Sequence, residues 1–300
     1  MIRQPNFIRK PEGVGIPVLR RYHYKFDMWW QNKYIKSKEL PPHPLNTEKR
    51  PYRIVASMTS FPARIHYVEY AIKSLMLQTV KPDRIILWLA SEQFPDSKIP
   101  ESLEKMKEYG LEIRFCDDLK SHKKYYYAMQ EQAEDELLIT YDDDIIYEYN
   151  SIEKLVKTFK KFPDCVICNR AEAFCRDDMG KITPYKSWEV LSNEGVQNPS
   201  SMLMPSTGAG CLYPYKILNE RVFNREEIEE YAATTDDLWI GFNCLYSNVK
   251  IVKTTKYMPT LCTVNSSQTE NLCANNVFCE LNDRAVRLLS KHLLGEKEQQ

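Results

Sequence analysis

Four apolar runs, each handing over to a helix-like or acidic segment, constrain the chain more than anything else in it. They are "YRIVASM" (52–58), "RIILWLA" (84–90), "LEIRF" (111–115) and "ELLIT" (136–140). Between them, "HYVEYAIKSLMLQ" (66–78) places Val68, Ala71, Ile72 and Leu75 on one helical face. "ESLEKMKEYG" (101–110) is a short helix that Gly110 is placed to end, and "KKYYYAMQEQA" (123–133) is a third helix. The strands are continuous apolar runs rather than alternating ones, which suits burial on both faces. The pattern therefore predicts an α/β fold: a mainly parallel sheet flanked by helices. In such sheets ligands bind beyond the carboxyl ends of the strands. Both "TSFPAR" (59–64) and "YDDD" (141–144) fall there.

A length of 300 residues allows one large domain with an appendage. The segment "ELPPHPLNTEKRP" (39–51), with four prolines, reads as a linker. Residues 1–50 form a basic arm with 11 Lys/Arg, 4 Asp/Glu and seven aromatics, a net charge of +7. The whole chain is balanced at 41 basic and 41 acidic residues, so residues 51–300 carry −7. An acidic main domain with a short basic arm argues against a nucleic-acid partner. A basic, aromatic arm suits contact with an anionic membrane surface, or packing on the main domain with its charges solvated. No run approaches the roughly eighteen apolar residues of a membrane span, and the first residues do not resemble a secretory leader. Nine irregularly spaced cysteines fit reduced thiols in the cytoplasm. The one CxxC, Cys165 to Cys168, lies in the apolar run "CVICN" and reads as strand packing.

Asp142, Asp143 and Asp144 stand together after the fourth run. Crowded carboxylates need a compensating cation, and a hard divalent ion suits oxygen ligands. An EF-hand loop is excluded, because counting from Asp142 puts Ile146 at a ligand position and Tyr147 where the turn glycine belongs. A D-x-D clamp fits better, with Asp142 and Asp144 holding an ion whose other ligands are phosphate oxygens and water. The plain alternative is a solvated acidic turn before a helix. That helix, "SIEKLVKTFKK" (151–161), carries a capping box of Asn150 and Glu153.

Four blocks in order, "VASMTSFPARI" (55–65), "SLMLQTVKPDRIILWLA" (74–90), "DDLKSHKKYYYA" (117–128) and "ITYDDDIIY" (139–147), resemble bacterial nucleotide-sugar glycosyltransferases of the GT-A fold. These are akin to the inverting family-2 enzymes of capsule and lipopolysaccharide assembly. The resemblance spans residues 52–290 and implies a Rossmann-like GT-A domain with an amino-terminal extension. It implies a nucleotide-binding half (51–165), an acceptor-binding half (166–290) and a charged tail (291–300). It also implies that Asp142 and Asp144 flank a Mn2+ or Mg2+ ion and the donor diphosphate, with Asp143 facing the ribose. Thr59, Ser60, Phe61 and Arg64 would lie against the nucleotide, and Lys123 or Lys124 near its base or phosphates. In "YAATTDDLWIGFN" (231–243) the acid pair implies a catalytic base at Asp237, with Asp236 as its neighbour; helix-opening acids are the alternative.

"STGAGCLYPYKIL" (206–218) resembles a glycine loop closing over the donor diphosphate, with Gly208 and Gly210 allowing close backbone approach. The family more often has two adjacent glycines where Gly210-Cys211 stands. The G-x-G lacks the third glycine of a dinucleotide fingerprint. Trp188 is either a platform for a sugar face or a core residue. Asn282 and Asp283 default to helix capping, and His292 has no assigned role.

Together these features predict a metal-dependent inverting glycosyltransferase, a hexosyl transfer enzyme of surface polysaccharide biosynthesis. Its partners would be a UDP-sugar donor and a saccharide or lipid-linked glycan acceptor, met in the cytoplasm at the inner face of the membrane. A non-catalytic carbohydrate- or nucleotide-binding module, or a two-carboxylate glycoside hydrolase, are the competing expectations.

Overall fold

The computed structural model describes residues 17–188, 194–255, 261–265 and 281–295. Four parallel strands take up the four apolar runs: β1 (Arg53–Thr59), β2 (Arg84–Ala90), β3 (Leu111–Cys116) and β4 (Glu136–Tyr141). Helices α2 (Val68–Met76), α3 (Glu101–Lys107) and α4 (Lys123–Gln130) alternate with them, and α5 (Ser151–Phe159) follows. Ile54, Ala56 and Met58 of β1 face the α2 side with Val68, Ala71, Ile72 and Leu75. Val55 faces the other side, with Ile86, Trp88, Leu138 and Ala128 of α4. Burial on both faces explains why the runs are continuously apolar.

The second half extends this sheet. In the order β10–β6–β9–β4–β1–β2–β3, β6 (Val166–Cys168), β9 (Ala209–Tyr213) and β10 (Ile251–Lys253) continue beyond β4. Strand β9 runs antiparallel to both neighbours, and every other pairing is parallel. Because β9 is reversed, its amino end and the loop before it meet the carboxyl end of β4, with Ala209 opposite Tyr141. Two small pairs lie apart: β5 (Ile145–Ile146) with β11 (Cys262–Thr263), and β7 (Ala171–Ala173) with β8 (Leu203–Pro205). Helix α6 (Arg225–Tyr231) precedes α7 (Asp236–Tyr246), which packs on β8 and on α8 (Leu281–Leu294). The fold is thus a mixed, mainly parallel sheet flanked by helices.

The arm contributes α1 (Pro17–Ser37), which packs against α2, β5 and β11. Residues 1–16, which hold three of the arm's basic residues and Phe7, lie outside the described residues. Cys165 and Cys168 are buried in and beside β6, as strand packing requires. Trp188 is buried against Phe174 and Tyr185, with its indole N–H donating to the Thr183 carbonyl at 2.8 Å, a core environment. The capping box does not form. Asn150 (φ −113°, ψ 18°) lacks the extended backbone of a cap and makes no cap bond. Glu153 instead accepts from Thr79 Oγ1 at 2.9 Å and from Lys157 at 2.5 Å.

Candidate active site

The carboxyl ends of β1 and β4, the start of α4, the loop before β9 and the start of α7 converge on one edge of the sheet, where five aspartates lie. Their charges are met largely by the chain itself. Asp143 is buried, with Ser60 Oγ donating to its Oδ2 at 2.6 Å and Arg64 donating to its Oδ1 at 3.0 Å. The same guanidinium nitrogen lies 3.0 Å from Asp144 Oδ2. Burial pushes the Asp143 carboxyl up to about 6, against the pull of Arg64 and the Ser60 hydrogen bond. Arg64 is itself raised, since the acids outweigh its burial.

Asp142 turns the other way. Lys124, itself buried, donates from Nζ to Asp142 Oδ1 at 2.5 Å and lies 2.9 Å from Asp236 Oδ2. Burial disfavours this ammonium, but Asp142, Asp236 and Asp237 raise its pKa overall. Gly208 is what lets Asp142 lie there. A Cβ at that position would fall 1.7 Å from Asp142 Oδ2. The Tyr147 hydroxyl ties the same loop down. It sits 2.6 Å from the Gly208 carbonyl, to which it donates, and accepts from the Asp142 amide at 2.7 Å.

The acid pair opens α7. Thr207 Oγ1 lies 2.5 Å from both Asp236 Oδ2 and Asp237 Oδ1, and the Thr207 amide donates to Asp237 Oδ1 at 2.8 Å. A hydroxyl has one proton to donate, so it serves one of the two carboxylates at a time. Burial works against ionised Asp236, yet Lys124 holds it below the usual carboxylate range. Burial and the Asp236 charge push Asp237 up to about 7. Asp237 is therefore the more readily protonated of the two. His122 fixes this end of the fold: its Nε2–H donates to the Ala232 carbonyl at 2.9 Å and its Nδ1 accepts from Tyr125 at 2.9 Å. Burial lowers its pKa, so it is neutral.

The structure thus brings together Asp142, Lys124, Gly208, Asp236 and Asp237, with Ser60, Arg64, Asp143 and Asp144 adjoining. Phe61 lies under the Arg64 guanidinium, 5.5 Å from ring centroid to Cζ. Thr59 turns its hydroxyl back to the Trp88 carbonyl at 2.8 Å. Lys123 is buried and pairs with Asp118 rather than with the triplet. Gly210 lies inside β9 with φ +94°, where a Cβ would sit 2.7 Å from Asn169 Nδ2. It serves packing within the sheet in this structure. His292 lies in α8 against Arg221, Glu227 and Tyr231. Asp283, in the first turn of α8, is 3.6 Å from Lys186.

Thr207, Tyr147 and His122 escape sequence reasoning. Thr207 stands between the residues of "STGAG" that drew attention for their glycines, and Tyr147 only looked like the residue that breaks an EF-hand.

A divalent ion is compatible with the chemistry of this site. Among the described residues, five carboxylates face two cations in contact, Arg64 and Lys124. A diphosphate would add to that negative excess, and the donors are hard oxygens. The Asp142 side chain is 41% exposed and Lys124 occupies only its Oδ1. Among the described residues no three His, Cys, Asp or Glu side chains gather as a metal group. An ion would therefore share its coordination with ligand oxygens and water.

No protein-family model matches the chain, and no curated protein matches it. Several solved structures are similar. Mannosyltransferase PcManGT from Pyrobaculum calidifontis, in complex with GDP-Man and Mn2+, shares 12% identity over 94% of this chain and 76% of its own, with a TM-score of 0.45. S. aureus TarS in complex with UDP-GlcNAc shares 12% identity over 68% of this chain and 56% of its own, with a TM-score of 0.43. The 4-diphosphocytidyl-2C-methyl-D-erythritol synthase from Anaerococcus prevotii shares 13% identity over 77% of this chain and 97% of its own, also at 0.43.

Proposed function

We propose that this chain transfers a glycosyl group, with inversion, from a nucleoside-diphosphate sugar to a hydroxyl acceptor. One arrangement carries the reading: Lys124 Nζ lies between Asp142 of the triplet and Asp236 of the pair. It holds a diphosphate-facing acid and the ionised neighbour of the base around one small space beyond the strand ends. Asp237 is the base. It is half-buried, has no cation in contact among the described residues, and takes the proton of the acceptor hydroxyl as that oxygen bonds to the sugar's anomeric carbon. The bond to the diphosphate breaks, and its electron pair leaves with the nucleotide. Asp236, held ionised by Lys124, orients Thr207 and keeps Asp237 in place. Asp142 and Asp144 would hold Mn2+ or Mg2+. When bound, that ion supplies Lewis-acid neutralisation of the departing diphosphate. Ser60, Phe61 and Arg64 border the nucleotide side, with Asp143 toward the ribose. The preferred donor is a UDP-sugar carrying a hexose. The acceptor is a saccharide or lipid-linked glycan of surface polysaccharide, capsule or lipopolysaccharide assembly at the cytoplasmic face of a membrane.

The test combines a thermal-shift panel of nucleoside diphosphates, with and without Mn2+, and a transfer assay on Asp237→Asn. Asp237→Asn should keep donor affinity by calorimetry while turnover falls by roughly 10²–10⁴-fold. An active variant would move the base elsewhere. Because the base must be unprotonated and its pKa is raised to about 7, wild-type turnover should rise with pH through that value. Donor binding with no turnover on any acceptor would reduce the protein to a nucleotide-sugar-binding module.

A further inference from the structure

We propose that the outer face of α1 is a docking surface for an anionic lipid leaflet. The helix has two distinct sides. Its inner side is fastened to the main domain: Ile35 is buried with Ile146, Cys262 and Val264. Asn32 donates to the Thr263 carbonyl at 3.0 Å and accepts from the Asn265 amide at 2.7 Å. The outer side carries Phe26, Trp29 and Trp30, which are 59%, 49% and 41% exposed. Positions 26, 29, 30 and 33 lie three and four residues apart, on one face. The rings form a continuous patch, with centroids 5.9 Å apart for Phe26 and Trp29 and 6.3 Å for Trp29 and Trp30. Lys33 stands over the Trp29 ring at 5.1 Å, Lys25 is exposed, and Lys36, also exposed, stands over the Tyr70 ring at 5.2 Å. Asp27 is the one acid in the helix.

Three adjacent exposed rings need an apolar partner, and the lysines need an anionic one. A lipid leaflet supplies both, with rings at the headgroup level and ammonium groups on the phosphates. The acidic domain of a second copy offers charge, but the other large exposed apolar side chains among the described residues, Tyr52, Met179, Tyr215 and Tyr246, come from four separate segments. No helix among the described residues is long and apolar enough to cross a membrane, so α1 would lie on the surface. The mount is stiff where it matters. The Val264 amide, beside the α1 contact, donates to the Asp144 carbonyl at 2.7 Å, so a docked arm would hold the acidic site at a fixed distance from the lipid. This surface does not depend on the transfer reaction.

Flotation of the full chain with phosphatidylcholine vesicles, and with vesicles that also contain phosphatidylglycerol, tests the proposal. Binding should be confined to the anionic vesicles and should weaken with salt. The variant Phe26→Ser/Trp29→Ser/Trp30→Ser should lose binding while its melt is unchanged. Lys25→Glu/Lys33→Glu should weaken partitioning by at least about 25-fold, since each lysine contributes roughly fivefold. Wild-type protein that stays unbound, or an aromatic variant that binds as well as wild type, would overturn the proposal. So would a concentration-dependent dimer, seen by sedimentation velocity without lipid and lost in the aromatic variant, which would make the face a self-interface.

Discussion

Asp143 and Asp237 are the same residue type on the same sheet edge, and both are pushed toward holding a proton, yet their surroundings differ. Asp143 is enclosed: a guanidinium and a serine hydroxyl occupy its two oxygens. Asp237 has no cation in contact among the described residues; its Oδ1 meets the Thr207 amide and hydroxyl and its neighbour's charge raises it further. The first arrangement is a fixed internal ion cluster that welds β1 to β4. The second leaves a carboxyl free to exchange its proton with an arriving group. A run of identical acids therefore says little about role until the cation in contact with each is known. Lys124, touching both the triplet and the pair, is the hinge of the comparison.

Removing that hinge should have the largest effect on stability. Lys124→Met leaves Asp142 and Asp236 facing each other without their shared ammonium, and breaking a buried pair this way costs roughly 3–5 kcal/mol. Urea unfolding of the variant should show it; a loss near zero would mean that the two acids are solvated and the clusters independent. The enclosed half is probed by Asp143→Asn with stability measured against pH in chelator. A carboxyl whose folded pKa is raised to about 6 stabilises the protein fully below its unfolded value near 4, and that contribution is lost as pH rises through about 6. Wild-type stability relative to the variant should therefore fall by about 3 kcal/mol between pH 4 and pH 8. A flat difference would show that Arg64 fully offsets the burial.

Much of this edge was legible in the chain. Hydrophobic runs dictated by burial on both faces place β1 to β4 within a residue or so of their bounds, because period and composition are local properties. The acid triplet and acid pair were visible as motifs for the same reason. Their meeting was not, since β9 reverses direction and brings residues 206–208 beside Tyr141, a topological fact without a local signature. The resemblance puts Lys123 or Lys124 near the donor's base or phosphates; in the structure Lys124 bridges Asp142 and Asp236, and Lys123 turns to Asp118. Sequence marks both lysines at a helix start; only packing decides which one points inward to the site. Asn150 failed as a cap because the turn leaving the triplet sets its backbone outside the extended region that a capping side chain needs.

The smallest effect should come from Thr207→Val, which is also the most discriminating. The substitution keeps the shape and removes the hydroxyl between Asp236 and Asp237. Loss of a hydrogen bond to acids already held by Lys124 and by a backbone amide should cost about 1 kcal/mol of stability. The hydroxyl favours the ionised form of Asp237, so its removal should raise that carboxyl further. The rise of turnover with pH should then move to higher pH, with activity falling more at pH 6 than at pH 8. An Asp143-like, enclosed Asp237 would show the stability loss and no displacement of the profile. That outcome would erase the distinction between the two acids and leave the proposed transfer without its base.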